Sequence, residues 1–245
     1  RDIGEAGPGA GTKVVAEIID YGDKGALPSG VLIETLGERG ELEVETLAVI
    51  RAHGLPDEFA LEVLDAAGET ARAFDPDDQA ERARRTDLTD ELVVTIDPAD
   101  ARDFDDAISL FDNGDGTTTL GVHIADVSHF VPEDGTVDVE ARKRATSVYF
   151  PRKVIPMLPE VLSNGVCSLQ EGVDRFCKSV FITYDAKAKV IRTKACESVI
   201  RSAMRLEYKQ AQAVIDGDTQ GVDKPVAKLL KRMDRLARAI QARRR

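Results

Sequence analysis

One stretch of this chain constrains everything around it. Asp97-Pro98-Ala99-Asp100-Ala101-Arg102-Asp103-Phe104-Asp105-Asp106 puts five carboxylates and a single arginine into ten residues. Two apolar runs, Leu92–Ile96 and Ala107–Phe111, flank it and read as strands. Two like charges about 4 Å apart repel by roughly 1 kcal/mol in water and by roughly 4 kcal/mol at an effective dielectric near 20. A loop held at both ends by buried strands cannot splay five aspartates apart, and one arginine does not neutralise them. The residues ask for a cation. A hard divalent ion suits them, because Mg²⁺ takes carboxylate and phosphate oxygens together. The plain alternative is a solvated acidic loop. An EF-hand is excluded, since Asp103-x-Asp105 lacks the third ligand at the right offset and the glycine that turns the loop. Asp112-Asn113-Gly114-Asp115-Gly116 is acidic too, but it reads as the turn of a hairpin.

Around this stretch the elements fall in order. Residues up to Thr12, rich in Gly, Pro and Ala, read as a loop. Lys13–Tyr21 and Gly30–Leu36, separated by Gly22–Gly25 and Pro28, read as a strand pair. About forty residues are too few for a stable all-β domain, so the pair is expected to be the remainder of a small barrel. Helices are predicted over Thr46–Ala52, ended by Gly54, and from Pro56 through Ala67. The charged stretch Glu69–Arg85 reads as a linker or exposed helical connection. Thr117–Ile124 alternates Leu120, Val122 and Ile124 with Thr119, Gly121 and His123, a strand pattern. A helix is expected from Thr136 to Ala145, with Asp138 and Glu140 early and Arg142, Lys143 and Arg144 late, as the helix dipole favours. Phe176–Tyr184 and Val190–Val199 form a second hairpin candidate. Glu207–Ile215 and Pro225–Ala242 read as helices. With open elements at both ends, the chain is expected to be part of a longer protein.

Composition narrows the function classes. No apolar run approaches a membrane span, and no secretory leader follows Arg1-Asp2-Ile3. A net charge of −11 argues against a surface built to coat duplex DNA, although a nucleic-acid site needs only local positive charge. Cys167, Cys177 and Cys196 have no CxxC spacing, and their odd number suits a reducing cytoplasm better than a disulfide framework. They are expected to be buried and inert, and Phe150 and Met157 to belong to the core. His123 and His129 are too few and too scattered for a zinc site or a catalytic triad.

Thr95-Ile96-Asp97-Pro98 followed by Asp103-Phe104-Asp105-Asp106-Ala107 resembles the signature of the ribonuclease II/ribonuclease R (RNB) family of exoribonucleases. The likeness continues through Gly121–Val127, Ser147–Pro151, Ile155–Ser163, Cys167-Ser168-Leu169 and Arg201-Ser202-Ala203, and the ribonuclease R branch is the nearer one. The resemblance implies an α+β fold: a mixed, mainly antiparallel β-sheet catalytic domain with packed helices, preceded by part of an OB-fold (cold-shock) β-barrel. It divides the chain into a partial cold-shock domain (1–45), a helical linker (46–85) and the N-terminal half of the catalytic domain (86–245). It further implies a Mg²⁺-dependent (or Mn²⁺-dependent) 3′→5′ exoribonuclease that hydrolyses single-stranded RNA to nucleoside 5′-monophosphates.

Carried over residue by residue, the resemblance makes Asp97, Asp103 and Asp106 metal ligands and Asp105 the carboxylate needed for cleavage but not for RNA binding. Asp100 has no counterpart and reads as a turn residue. Tyr149 matches an aromatic that stacks against the terminal base. On its own a tyrosine is more often packing, but base stacking is worth roughly 1–3 kcal/mol whichever base is present, as a degrader of mixed sequences needs. Arg142, Lys143, Arg144, Arg152 and Lys153 bracket Tyr149. Arg152 and Lys153 in particular are candidate RNA contacts, against a reading as helix-end charge matching and solvated loop. No protein partner is implied, and a monomer is expected. The rival function is a non-catalytic RNA-binding module or inactive relative, with the isolated segment itself inactive. Intact spacing of all four aspartates argues against decay of the site.

Overall fold

The computed structural model describes residues 7–23, 25 and 27–244. Residues 1–6 of the expected N-terminal loop, Lys24 in the expected inter-strand turn, and Arg245 lie outside the described residues. The described chain forms two compact units, one running to Phe59 and including Thr146–Met157, the other comprising Ala60–Ala145 and Leu158 onward.

In the first unit, β1 (Thr12–Asp20) and β2 (Ser29–Glu38) pair antiparallel as a two-stranded ribbon. Helix α1 (Leu42–Ala52) packs on it, burying Val44 and Ile50. Arg51 grips Glu34 with two hydrogen bonds, Nε–Oε2 at 2.7 Å and Nη2–Oε1 at 3.2 Å, and Lys13 pairs with Glu45. Gly37, at φ +128°, lets the ribbon approach the helix: a Cβ there would meet Val44 Cγ2 at 2.7 Å. Much of the ribbon's apolar surface stays open, Ile19 at 69 % and Ile33 at 60 %.

The second unit begins with α2 (Leu61–Ala73) and α3 (Gln79–Arg84). The helix expected to open at Pro56 starts five residues later. Asp57 is drawn instead to Arg51 (3.0 Å) and Lys153 (3.5 Å) within the first unit, so it caps no helical turn. The charged connection that follows is helical but anchored: Phe74 meets Phe130 and Phe176 edge-on at 5.0 and 5.2 Å, and Arg85 lies 4.2 Å over the Phe176 ring.

Five strands then close into a barrel: β3 (Thr86–Asp97), β4 (Asp106–Asp112), β5 (Thr118–Ala125), β8 (Asp174–Tyr184) and β9 (Val190–Glu207). Between β5 and β8 come the single turn α4 (Val127–Phe130), helix α5 (Thr136–Arg144), a π-helical turn (Val161–Val166), and the short strands β6 (Val148–Tyr149) and β7 (Val154–Ile155), which belong to the first unit. All barrel pairings are antiparallel except β3 with β9, which run parallel. The sheet is therefore mixed and mainly antiparallel, as expected, but it is closed.

Barrel packing inverts the usual reading of β5. Leu120 and Ile108 face outward into an apolar layer with α6 (Tyr208–Asp216) and α7 (Lys224–Arg244), where Val214, Val226, Leu229 and Leu230 are buried. The inward residues are polar. His123 is fully buried, bridging Ser109 Oγ (2.9 Å) and Ser179 Oγ (2.7 Å), and Ser179 continues to Ser198 Oγ (2.6 Å). With both ring nitrogens matched, burial pushes His123 down to about 4 and keeps it neutral. Gly121 is required beside it, because a Cβ would lie 2.3 Å from Ser109 Oγ.

Candidate functional site

Strand β3 ends at Asp97 and β4 begins at Asp106, so the acidic residues lie at one end of the barrel. The loop between them is pinned. Its first turn closes through Ala101 N–H to the Pro98 carbonyl (3.2 Å). Ser168 Oγ donates to the Arg102 carbonyl (2.7 Å) and accepts from Phe104 N–H (3.2 Å). The Phe104 and Asp105 carbonyls each accept at 2.9 Å, from Leu169 and Ala125 N–H. Arg175 holds the supporting turn through the Ser168 carbonyl (2.9 Å). Arg205, opposite Thr95 on β9, donates from Nη2 to the Pro98 (3.0 Å) and Ala99 (2.8 Å) carbonyls, with its guanidinium 5.1 Å over Phe104.

The carboxylates are held in one field. Asp97 is buried at 8 % exposure, and its Oδ2 has no hydrogen-bond partner. Burial first, then the charge of Asp106, raise its carboxyl; Arg205 opposes this, and Asp103 and Asp105 add to it. Asp105 reaches solvent, yet the protein beneath it, then Asp103 and Asp106, raise its carboxyl as well. Asp103 is half-buried and Asp106 exposed. Asp100 is exposed and lies in a turn, as expected.

Among the described residues, no three His, Cys, Asp or Glu side chains form a ready-made metal cage. The donor set nonetheless fits a hard cation. A buried carboxylate oxygen lies unmatched among like charges, and Mg²⁺ is commonly held by one or two carboxylates, with water and phosphate oxygens completing its shell.

The remaining expected site residues lie in the first unit, on the β6–β7 hairpin. Tyr149 presents its ring to solvent at 68 % exposure. Arg152 is exposed, whereas Lys153 is engaged with Asp57. Arg142 pairs with Asp134 and Asp138, and Lys143 and Arg144 with Glu140, so helix α5 uses its own basic end. His129 packs edge-on against Phe130 and Phe176, and Cys167 and Cys177 are buried, with burial raising both thiols. Sequence reasoning did not single out Arg205 or Ser168. The available signal was an arginine set between the apolar Met204 and Leu206.

A family model for the RNB domain matches residues 85–245, and one for a cold shock domain matches residues 2–60. Ribonuclease R of Thermotoga maritima is 44 % identical over 207 residues, which cover 83 % of this chain and 29 % of that protein. The RNase R of Mycoplasma genitalium, solved in complex with ribose methylated single-stranded RNA, matches with a TM-score of 0.87 at 30 % identity, over 96 % of this chain and 36 % of that one. Its complex with double-stranded RNA matches with a TM-score of 0.85 at 30 % identity, over 96 % of this chain and 41 % of that one. The chain thus spans well under half the length of each of these relatives.

Proposed function

Because the chain belongs to the RNB family, we propose that its acidic loop is the hydrolytic centre of a Mg²⁺-dependent 3′→5′ exoribonuclease releasing nucleoside 5′-monophosphates from single-stranded RNA. The observation that carries this reading is the unmatched, buried Oδ2 of Asp97, held among Asp103, Asp105 and Asp106 on a loop fixed from both sides. Asp97, Asp103 and Asp106 are the metal-holding carboxylates. When bound, Mg²⁺ (or Mn²⁺) supplies positive charge that stabilises the oxygens of the phosphodiester undergoing hydrolysis.

Asp105 takes the remaining role. In the metal-free chain burial first, then Asp103 and Asp106, raise its carboxyl, and its Oδ atoms are placed to accept a proton from an attacking water. The pinned backbone on both sides keeps that oxygen placed without reorganisation. Tyr149, with an open ring face, stacks a base, and the exposed Arg152 contacts phosphate; Lys153 is the weaker RNA contact because Asp57 already neutralises it. The free thiols suit a reducing cytoplasm.

The test is single-turnover cleavage of 5′-labelled single-stranded RNA, with equilibrium binding beside it, in the chain and in a ribonuclease R-length version of it. Asp105→Asn should abolish nearly all cleavage and leave RNA affinity unchanged or slightly higher. Near-normal cleavage would show that the role sits on another carboxylate. In the same assay Tyr149→Ala should change the length of the final oligonucleotide, and Tyr149→Phe should be mild, because stacking uses the ring face.

A further inference from the structure

Arg205 joins the two arms of the acidic loop with one planar group. In its plane, Nη2 donates to the carbonyls of Pro98 and Ala99, immediately after Asp97. Its Cζ also lies 5.1 Å over the ring of Phe104, immediately before Asp105, and Phe104 is itself buried and tied to Ser168 and Leu169. The Arg205 backbone is fixed as well: its N–H donates to Glu171 Oε2 at 2.8 Å, and its strand runs parallel to β3 up to Asp97 opposite Glu207. Its Nε is buried without a partner, so its hold on the first arm of the loop runs through Nη2.

We propose that Arg205 is a positioning residue of the hydrolytic centre, a strap that fixes the spacing of Asp97 from Asp103, Asp105 and Asp106 by binding both arms of their loop at once. This rests on the metal reading of that loop. The geometry favours arginine: a planar guanidinium spreads its donors and its charge widely enough to reach both arms, whereas an ammonium is a compact point charge. It also sets strap against charge. A cation beside a cation site repels the incoming metal, so by Coulomb's law alone its removal should tighten metal binding. As a strap, its removal should loosen the ligands and weaken binding.

The experiment compares wild type, Arg205→Lys, Arg205→Gln and Phe104→Leu by Mn²⁺ calorimetry and by amide hydrogen exchange without metal, using the chain described here. Both Arg205 variants should weaken Mn²⁺ binding by about tenfold or more, on the scale of losing a group that orients metal ligands. Amides of Ala101 and Phe104 should exchange about tenfold faster, on the scale of one or two lost hydrogen bonds, while β5 and β8 keep their protection. Phe104→Leu, which keeps apolar volume but removes the aromatic face, should show a smaller change in the same direction.

Tighter Mn²⁺ binding in Arg205→Gln with an unchanged Arg205→Lys would overturn the proposal in favour of a charge effect. Loss of protection throughout the barrel would overturn it in favour of a structural role. If the wild type takes up no Mn²⁺, the metal reading falls, and Arg205 is judged on exchange alone: unchanged rates at Ala101 and Phe104 would overturn the strap, and faster rates confined to the loop would support it.

Discussion

The loop from Asp97 to Asp106 and the turn from Asp112 to Gly116 lie at opposite ends of the same strand, and both are rich in aspartate. In the turn, every acidic group is answered locally. Asp112 Oδ1 accepts from Gly114 N–H (3.1 Å), and Asp115 Oδ1 accepts from Thr117 N–H (2.9 Å) and Thr117 Oγ1 (2.6 Å). Those hydrogen bonds lower the Asp115 carboxyl. In the loop, the donors go to backbone carbonyls instead, and burial first, then the charge of the neighbouring carboxylates, raises Asp97 and Asp105. The number of aspartates does not mark a site; what marks it is whether the surrounding chain has satisfied them.

The largest expected difference between the two regions is in rate. Asp105→Asn should lower single-turnover cleavage by about 10²–10⁴-fold, the usual scale of a positioned proton acceptor, whereas Asp115→Asn should leave it within about twofold, the change expected where the group lies outside the chemistry. An equal effect at both positions would erase the distinction.

Acid stability gives the next largest effect and adds a third case: a buried group that is fully matched but only while neutral. His123 sits near 4 in the folded chain against an ordinary 6.5. Between those values the unfolded chain binds the extra proton, so stability is full above about 6.5 and is lost as pH falls towards 4, by about 3 kcal/mol. Denaturant unfolding at pH 7 and pH 4.5 should show His123→Gln losing much less over that interval than the wild type. Parallel curves would place the acid sensitivity elsewhere.

The smallest effect has opposite signs in the two regions. Asp97→Asn removes a buried, repelled charge and should raise metal-free stability by about 1 kcal/mol, within the range found when strained functional positions are relieved. Asp115→Asn should cost at most about 0.5 kcal/mol, as for other exposed positions. Unfolding midpoints in chelator decide this, and a loss of stability at Asp97 would show that its charge is already compensated.

How much of this was legible in the sequence depends on how local the signal is. The acidic loop was readable because apolar runs bracket it, and the turn because Asn-Gly and Asp-Gly have a backbone mechanism. Strand β9 was seen only to Val199, because beyond it Arg201, Ser202 and Arg205 interrupt the apolar pattern. What holds that half in place is β3, a parallel partner about a hundred positions away that leaves no local trace. The same remoteness hid the closed barrel and Arg205. The sequence marks His123 only as too isolated for a zinc site or a catalytic triad, and its structural place inside the barrel depends on Ser109 and Ser179, which alternation cannot identify as inward partners. Pro56 misled because Asp57 is engaged by Arg51 and not by a helix start.

The central claim, that the loop is a cation site and the turn is not, is most directly tested by titrating Mn²⁺ into the wild-type chain, Asp97→Asn and Asp115→Asn, with bound metal followed by calorimetry. The account predicts saturable binding in the wild type, unchanged in Asp115→Asn and weakened by about tenfold or more in Asp97→Asn, the scale of losing a metal-holding contact. Binding of equal strength in all three chains would contradict it.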